Sequence, residues 1–144
     1  MSKVSITELT PGTMLERSAD VFGDKTAIVY GDRSLTYEDF RTETTRTARA
    51  LMASGIGEGD RVAYLMPNLP EMLIGHFAVP LIPAVLVAIN TRLSGPEIEY
   101  ILDHSGASML VVDSALYPVV ADHLEGRREL REVIVLHDPA SGAD

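Results

Sequence analysis

The chain has 144 residues, 46% of them hydrophobic and 23% charged, which is enough to bury the core of one ordinary globular domain. Its 12 Lys+Arg stand against 21 Asp+Glu, for a net charge of -9, and its largest basic cluster is the pair Arg127–Arg128, so a nucleic-acid surface is excluded. The absence of cysteine removes disulfides, thiolate nucleophiles and Cys-based zinc sites.

Met1–Glu8 holds no apolar stretch that could serve as a secretion signal, which makes the cytoplasm the expected location. A first helix is expected from Thr10 or from Thr13. Thr10 could cap it with Pro11 at the first helical position, or Thr13 could cap it with Glu16. Met14, Leu15, Ala19 and Phe22 fall on one face, and Gly23-Asp24 ends the element. Thr26–Tyr30 and Arg33–Thr36, separated by Gly31-Asp32, read as a β-hairpin.

Thr36 followed by Asp39, with Leu35 and Phe40 placed as a hydrophobic staple, opens a helix expected to reach Ser54 and to close at Gly55. The glycines of Gly55–Asp60 run G-x-G-x-G after a helix and before the strand Arg61–Leu65. That is the wrong spacing and order for a dinucleotide loop, so a helix-to-strand turn is expected.

From Met72 to Ile89 there is no Asp, Glu, Lys or Arg. Pro80 and Pro83 divide this run into a buried helix ending near Val79 and a buried parallel strand after Pro83, and no transmembrane span is expected. Ser94 with Glu97, stapled by Leu93 and Ile98, starts a helix running to Ser105-Gly106. A strand is expected at Ser108–Val112, a helix over Leu116–Leu130 despite Pro118 and Gly126, and a last strand at Glu132–Leu136.

This order predicts an α/β fold: an open, mostly parallel sheet with helices on both faces, preceded by the N-terminal helix and hairpin. Residues 1–138 form the α/β unit in this reading, and 139–144 a linker-like tail. Ligands of such sheets sit beyond the carboxyl ends of the strands. Here those ends fall near Met66-Pro-Asn68, Ile89–Arg92, Asp113-Ser114 and His137-Asp138.

Arg92 is the candidate binding residue, because a guanidinium at a strand end suits phosphate or carboxylate; the competing role is an ion pair with Glu97 or Glu99. The His-Asp neighbours Asp103-His104, Asp122-His123 and His137-Asp138 have no spacing that makes them converge, so no metal site is expected. His104 suits a helix C-terminus, and His76 reads as a core or cleft histidine. No hydrolase, zincin or P-loop string occurs, and no catalytic residue is assigned.

Thr10-Pro11, Leu15–Ala19, Phe22–Tyr30, Leu35–Tyr37, Gly57–Ala63, Met66–Asn68 with Glu71, Ala84–Leu93, Glu97-Ile98 and Ile101-Leu102 together resemble the N-terminal segment of adenylate-forming acyl-CoA synthetases. The likeness covers Thr10 to Leu136 and is nearest to fatty-acid or medium-chain CoA ligases. Where that family usually has glycine before Ala-Val-Leu, this chain has Pro83, which puts local strand pairing in doubt.

The resemblance implies part of the family's large N-terminal domain, walls near the acyl and pantetheine passage, and Arg92 near the CoA phosphates. It implies ATP, Mg and CoA as cofactors of the full-length enzyme, with a carboxylic acid as substrate. The carboxylate would attack the α-phosphate of ATP to give acyl-adenylate and pyrophosphate, and CoA thiol would then displace AMP. The family's Thr/Ser/Gly-rich phosphate loop, ribose-binding aspartate and catalytic lysine are absent from these 144 residues. The chain alone is therefore expected to be inactive and to bind none of these cofactors tightly. Its expected partner is the remainder of the synthetase or a second copy of itself. The alternative is a non-catalytic α/β binding or dimerisation module derived from the same fold.

Overall fold

A computed structural model describes residues 9–137, so the tail expected from Pro139 lies outside the described residues. Helix α1 spans Pro11–Phe22. Of its two possible starts, Thr10 is the cap: its hydroxyl accepts from the Thr13 amide at 3.2 Å, and Thr13 Oγ1 accepts from the Thr10 amide at 2.9 Å. Strands β1 (Thr26–Tyr30) and β2 (Arg33–Thr36) form the expected antiparallel hairpin, turning at Gly31 with φ +55°.

Helix α2 (Tyr37–Ala53) begins at Thr36, whose hydroxyl accepts from the Asp39 amide while Asp39 accepts from the Thr36 amide at 2.9 Å. Then follow β3 (Arg61–Leu65), α3 (Pro70–Leu81), β4 (Val85–Ala88), α4 (Gly95–Ser105) and β5 (Met109–Asp113). A single helical turn α5 (Tyr117–Val120), a 3₁₀ turn (Ala121–His123) and β6 (Glu132–Leu136) complete the fold.

The main sheet has the order β4-β3-β5-β6, parallel throughout. Strand alternation divides its side chains between two cores. Val62, Tyr64, Met109 and Val111 face one cluster with Phe40, Leu51, Ile74 and Val79 of α2 and α3; α1 packs against both helices. Ala63, Leu65, Leu110 and Val112 face the other, with Ile98 and Leu102 of α4 and Val120 of α5. Phe40 and Phe77 meet edge to face at 4.9 Å and join α2 to α3. Gly75 lets α3 lie on β3, because a Cβ there would stand 2.5 Å from the Tyr64 ring.

Three expectations are corrected. Helix α3 continues through Pro80 to Leu81 rather than ending near Val79. A proline in a last turn removes one hydrogen bond, and both Pro80 and its i−4 partner His76 are exposed, so water can serve the bereft carbonyl. Strand β4 is not fully buried: it is an edge strand, and Val85 is 50% exposed. The helix expected over Leu116–Leu130 exists only as the turns at 117–123, and Gly126 takes φ +76° in the irregular stretch that follows.

The doubt raised by Pro83 is answered in favour of intact pairing. Its carbonyl accepts from the Gly59 amide at 2.9 Å, the Val85 amide donates to Asp60 O at 2.8 Å, and β4 pairs with β3 from Val85 onward. Pro83 itself carries φ +27°, in the region that glycine occupies without penalty.

The uncharged run Met72–Ile89 is thus most of α3 followed by β4. Among the described residues, no helix is long and apolar enough to cross a membrane.

Candidate functional site

All strands of the main sheet run the same way, so their carboxyl ends share one edge. Ligand sites of open parallel sheets form there, because loops leaving that edge diverge where the chain reverses its direction along the sheet. The chain does this at β3, whose neighbours β4 and β5 lie on opposite sides.

Arg92 sits in the turn leaving β4. The side chain of Asn90 shapes that turn, with Oδ1 accepting from the Arg92 amide at 3.0 Å. Both carboxylates that could have claimed Arg92 are committed elsewhere. Glu97 accepts from the Ser94 amide at 2.8 Å and from its hydroxyl at 2.6 Å, and Glu99 pairs with His123 at 2.7 Å and Arg127 at 2.5 Å. The Ser94 hydroxyl, and secondarily its amide, holds the Glu97 carboxyl below its ordinary pKa. For Glu99 the larger cause is His123, then Arg127. Arg92 is therefore exposed, with no ion pair among the described residues.

Beside the carboxyl end of β3 lies an apolar cleft of about 540 Å³, between the hairpin and the start of α3. Val29, Tyr30, Leu69, Leu73 and Phe77 supply most of its wall, and Asn68 and His76 its polar points. His76 Nδ1 lies 2.8 Å from Met72 O. A carbonyl only accepts, so Nδ1 is the donor of this contact. A cleft of this size and lining suits an apolar ligand with a few polar atoms.

Asp113 and Ser114 close the edge at the end of β5. Asp113 is 3% exposed, and its Oδ1 accepts from the Ala115 amide at 2.9 Å. Among the described residues, Asp113 Oδ2 and Ser114 Oγ have no hydrogen-bond partner. The expectation located this strand end but not its buried carboxylate; an Asp closing a run of apolar strand residues is the only sequence signal for it.

The remaining His-Asp pairs do structural work or fall outside the described residues. Asp103 pairs with Arg127, whose Nε donates to His123 O at 2.6 Å, so this arginine straps the irregular 121–130 segment onto α4. His104, at the end of α4, stacks on Tyr100 with ring centroids 5.5 Å apart. His137 is exposed, and Asp138 is outside the described residues. Among the described residues, no group of three or more His, Asp or Glu is placed to hold a metal.

Comparison with known proteins locates this arrangement. Residues 15–144 match the family model "AMP-binding enzyme". The chain is 41% identical over 132 residues to 4-hydroxybutyrate–CoA ligase 2 of Metallosphaera sedula, covering 91% of this chain and 24% of that protein. It is 36% identical over 118 residues to the peroxisomal acetate/butyrate–CoA ligase AAE7 of Arabidopsis thaliana, covering 82% of this chain and 21% of that one. Its fold superposes on a fatty acyl CoA synthetase of Mycobacterium tuberculosis with TM-score 0.83 and 33% identity, over 88% of this chain and 26% of the other. The chain thus spans about a quarter of the length of the proteins it matches.

Proposed function

We propose a function on one premise: this chain belongs to the AMP-binding enzyme family, and its fold is that of part of the N-terminal domain of adenylate-forming CoA ligases. From that premise it is the N-terminal portion of an ATP-dependent carboxylate–CoA ligase, acting on a fatty or short apolar acid. Residues 1–138 are then an incomplete subdomain, with 139–144 leading onward. A cytoplasmic location belongs to the same proposal.

The observation that carries this reading is the free guanidinium of Arg92 at the carboxyl edge. Glu97 and Glu99 are both engaged elsewhere, so Arg92 is available to an outside anion. A phosphate accepts paired hydrogen bonds from a guanidinium, which suits Arg92 to the phosphates of CoA. The cleft beside Leu73 and Phe77 offers apolar wall for an acyl or pantetheine chain.

ATP, Mg and CoA would supply the activation and the thiol acceptor, and these residues supply scaffold, apolar wall and one cation. Charge developing on phosphoryl and carbonyl oxygens needs several preorganised donors, and this chain offers no such set, so alone it is inactive.

The test is to read the source gene beyond the codon for Asp144 and to assay the product of the whole reading frame. Continuation into a Thr/Ser/Gly-rich loop ending in Pro-Lys-Gly, with CoA thioester formed from an apolar acid and ATP, is the expected result. A stop after Asp144, or a longer product that makes no acyl-adenylate from any aliphatic acid, would sink the reading.

A further inference from the structure

The turn that carries Arg92 is fixed at both ends. On one side lies Ile89, 3% exposed, whose amide donates to Tyr64 O at 2.9 Å. On the other, Leu93 packs against the core that holds Ile98 and Leu102 of α4, and the Ser94–Glu97 box opens that helix. Within the turn, the Leu93 amide donates to Asn90 O at 3.3 Å, and Asn90 Oδ1 accepts from the Arg92 amide at 3.0 Å. The backbone that aims the Arg92 side chain is therefore set by the chain itself. A group held in this way has less freedom to lose when it meets an anion.

Asn90 supplies the side-chain link in this turn, and its chemistry matters beyond geometry. Asn, Asp, Ser and Thr can all bond the backbone two residues on. Asp forms such turns as readily as Asn, yet here it would set a carboxylate two residues from Arg92. The surroundings keep carboxylates off this guanidinium. Glu97 is spent on Ser94 and Glu99 on His123 and Arg127, and no ion pair reaches Arg92 among the described residues. An amide side chain provides the acceptor without the charge.

We propose that Asn90 is a positioning residue for anion binding at this edge. Through the Arg92 amide it presets the turn, and as a neutral acceptor it leaves the Arg92 charge whole for a phosphate of CoA. This rests on the reading of Arg92 as a contact for the CoA phosphates, and it adds which residue prepares that contact and why it is an amide.

The test compares three replacements in the protein made from the whole reading frame, with KM and kcat measured against CoA and the Kd for CoA measured by calorimetry. Asn90→Ala is expected to raise KM and Kd for CoA roughly fivefold with kcat little changed. Asn90→Ser, whose hydroxyl can accept the same amide, should stay within about twofold of the parent. Asn90→Asp keeps the turn but offers Arg92 a carboxylate, so it should weaken CoA at least as much as Asn90→Ala while Tm stays within about 2 °C of the parent. In an Arg92→Ala background, Asn90→Ala and Asn90→Asp should each add less than about twofold. A residue that only holds the turn predicts instead that Asp serves as well as Asn, and that each replacement costs the same with or without Arg92. Either result overturns the proposal. An active ligase whose use of CoA ignores all three replacements overturns it while leaving the functional reading intact. A protein without ligase activity that still binds CoA with the expected pattern sinks the functional reading and upholds the role of Asn90. A protein that neither binds CoA nor forms a thioester, or a stop after Asp144, overturns both.

Discussion

The two ends of the same parallel sheet are built to opposite rules. At the amino end Asp60 and Arg61 are both spent inside the fold. Asp60 accepts from the Gly57 amide at 2.9 Å, the Ser108 hydroxyl at 3.0 Å and Arg131 at 2.9 Å. Arg61 donates to the carbonyls of Ser105 at 2.8 Å, Gly106 at 2.5 Å and Gly59 at 2.9 Å, closing the C-terminus of α4 with a cation. At the carboxyl end the opposite holds: among the described residues Arg92 has no ion pair, and Asp113 Oδ2 and Ser114 Oγ have no hydrogen-bond partner. The amino end is stability and the carboxyl end is reserve, which is the division expected where loops at one edge of an open sheet serve ligands.

The largest effect should come from breaking the amino end. Arg61→Ala removes the donors that satisfy the last carbonyls of α4 and is expected to destabilise the chain by about 2 kcal/mol in urea unfolding. A change below about 0.5 kcal/mol would deny this end its structural role.

Acid should sharpen the contrast. The Gly57 amide, with Arg131 and Ser108 behind it, holds the Asp60 carboxyl below its ordinary value. A carboxylate depressed by folding stabilises fully above its unfolded pKa, and that contribution is lost as pH falls through the lower folded value. The urea midpoint should therefore fall as pH drops below about 4, and Asp60→Asn should flatten this acid limb where Arg92→Ala leaves it unchanged. An acid limb identical in all three proteins would show that Asp60 is not depressed by its neighbours.

A smaller effect is expected at the entry to the edge strand. Pro83 holds φ +27°, far from the value of about -65° that its ring prefers, so Pro83→Gly should gain stability, by about 1 kcal/mol. Loss of stability would mean that the fixed ring helps the turn. The smallest stability effect belongs to the open end, where Arg92→Ala should stay within about 0.5 kcal/mol of the parent.

What the sequence made legible was local. The hairpin Thr26–Thr36 and the starts at Thr36 and Ser94 are readable because cap, staple and turn residues lie within a few positions of one another, and the same signals narrowed the first helix to a start at Thr10 or Thr13. The alternation of helices and strands then fixed the sheet class. What failed depended on distant partners. Arg61 reaches Ser105 and Gly106 across more than 40 positions, and Arg127 reaches Asp103 and Glu99 across 24 and 28, so neither assignment could be made from spacing. The helix expected over Leu116–Leu130 lost to that same Arg127 strap and to Gly126. Arg92 was legible as a strand-end cation, but its freedom emerged only when Glu97 and Glu99 proved engaged. Asp113 was passed over because burial without a partner is a property of three dimensions.

The most direct measurement of the division between the two ends is steady-state kinetics of the full-reading-frame protein carrying Arg92→Ala, with CoA varied and Tm recorded on the same sample. A residue held in reserve for the CoA phosphates predicts a KM for CoA raised roughly tenfold, with Tm unchanged. An unchanged KM, or a fall in Tm comparable with that of Arg61→Ala, would place Arg92 among the structural charges and contradict the account.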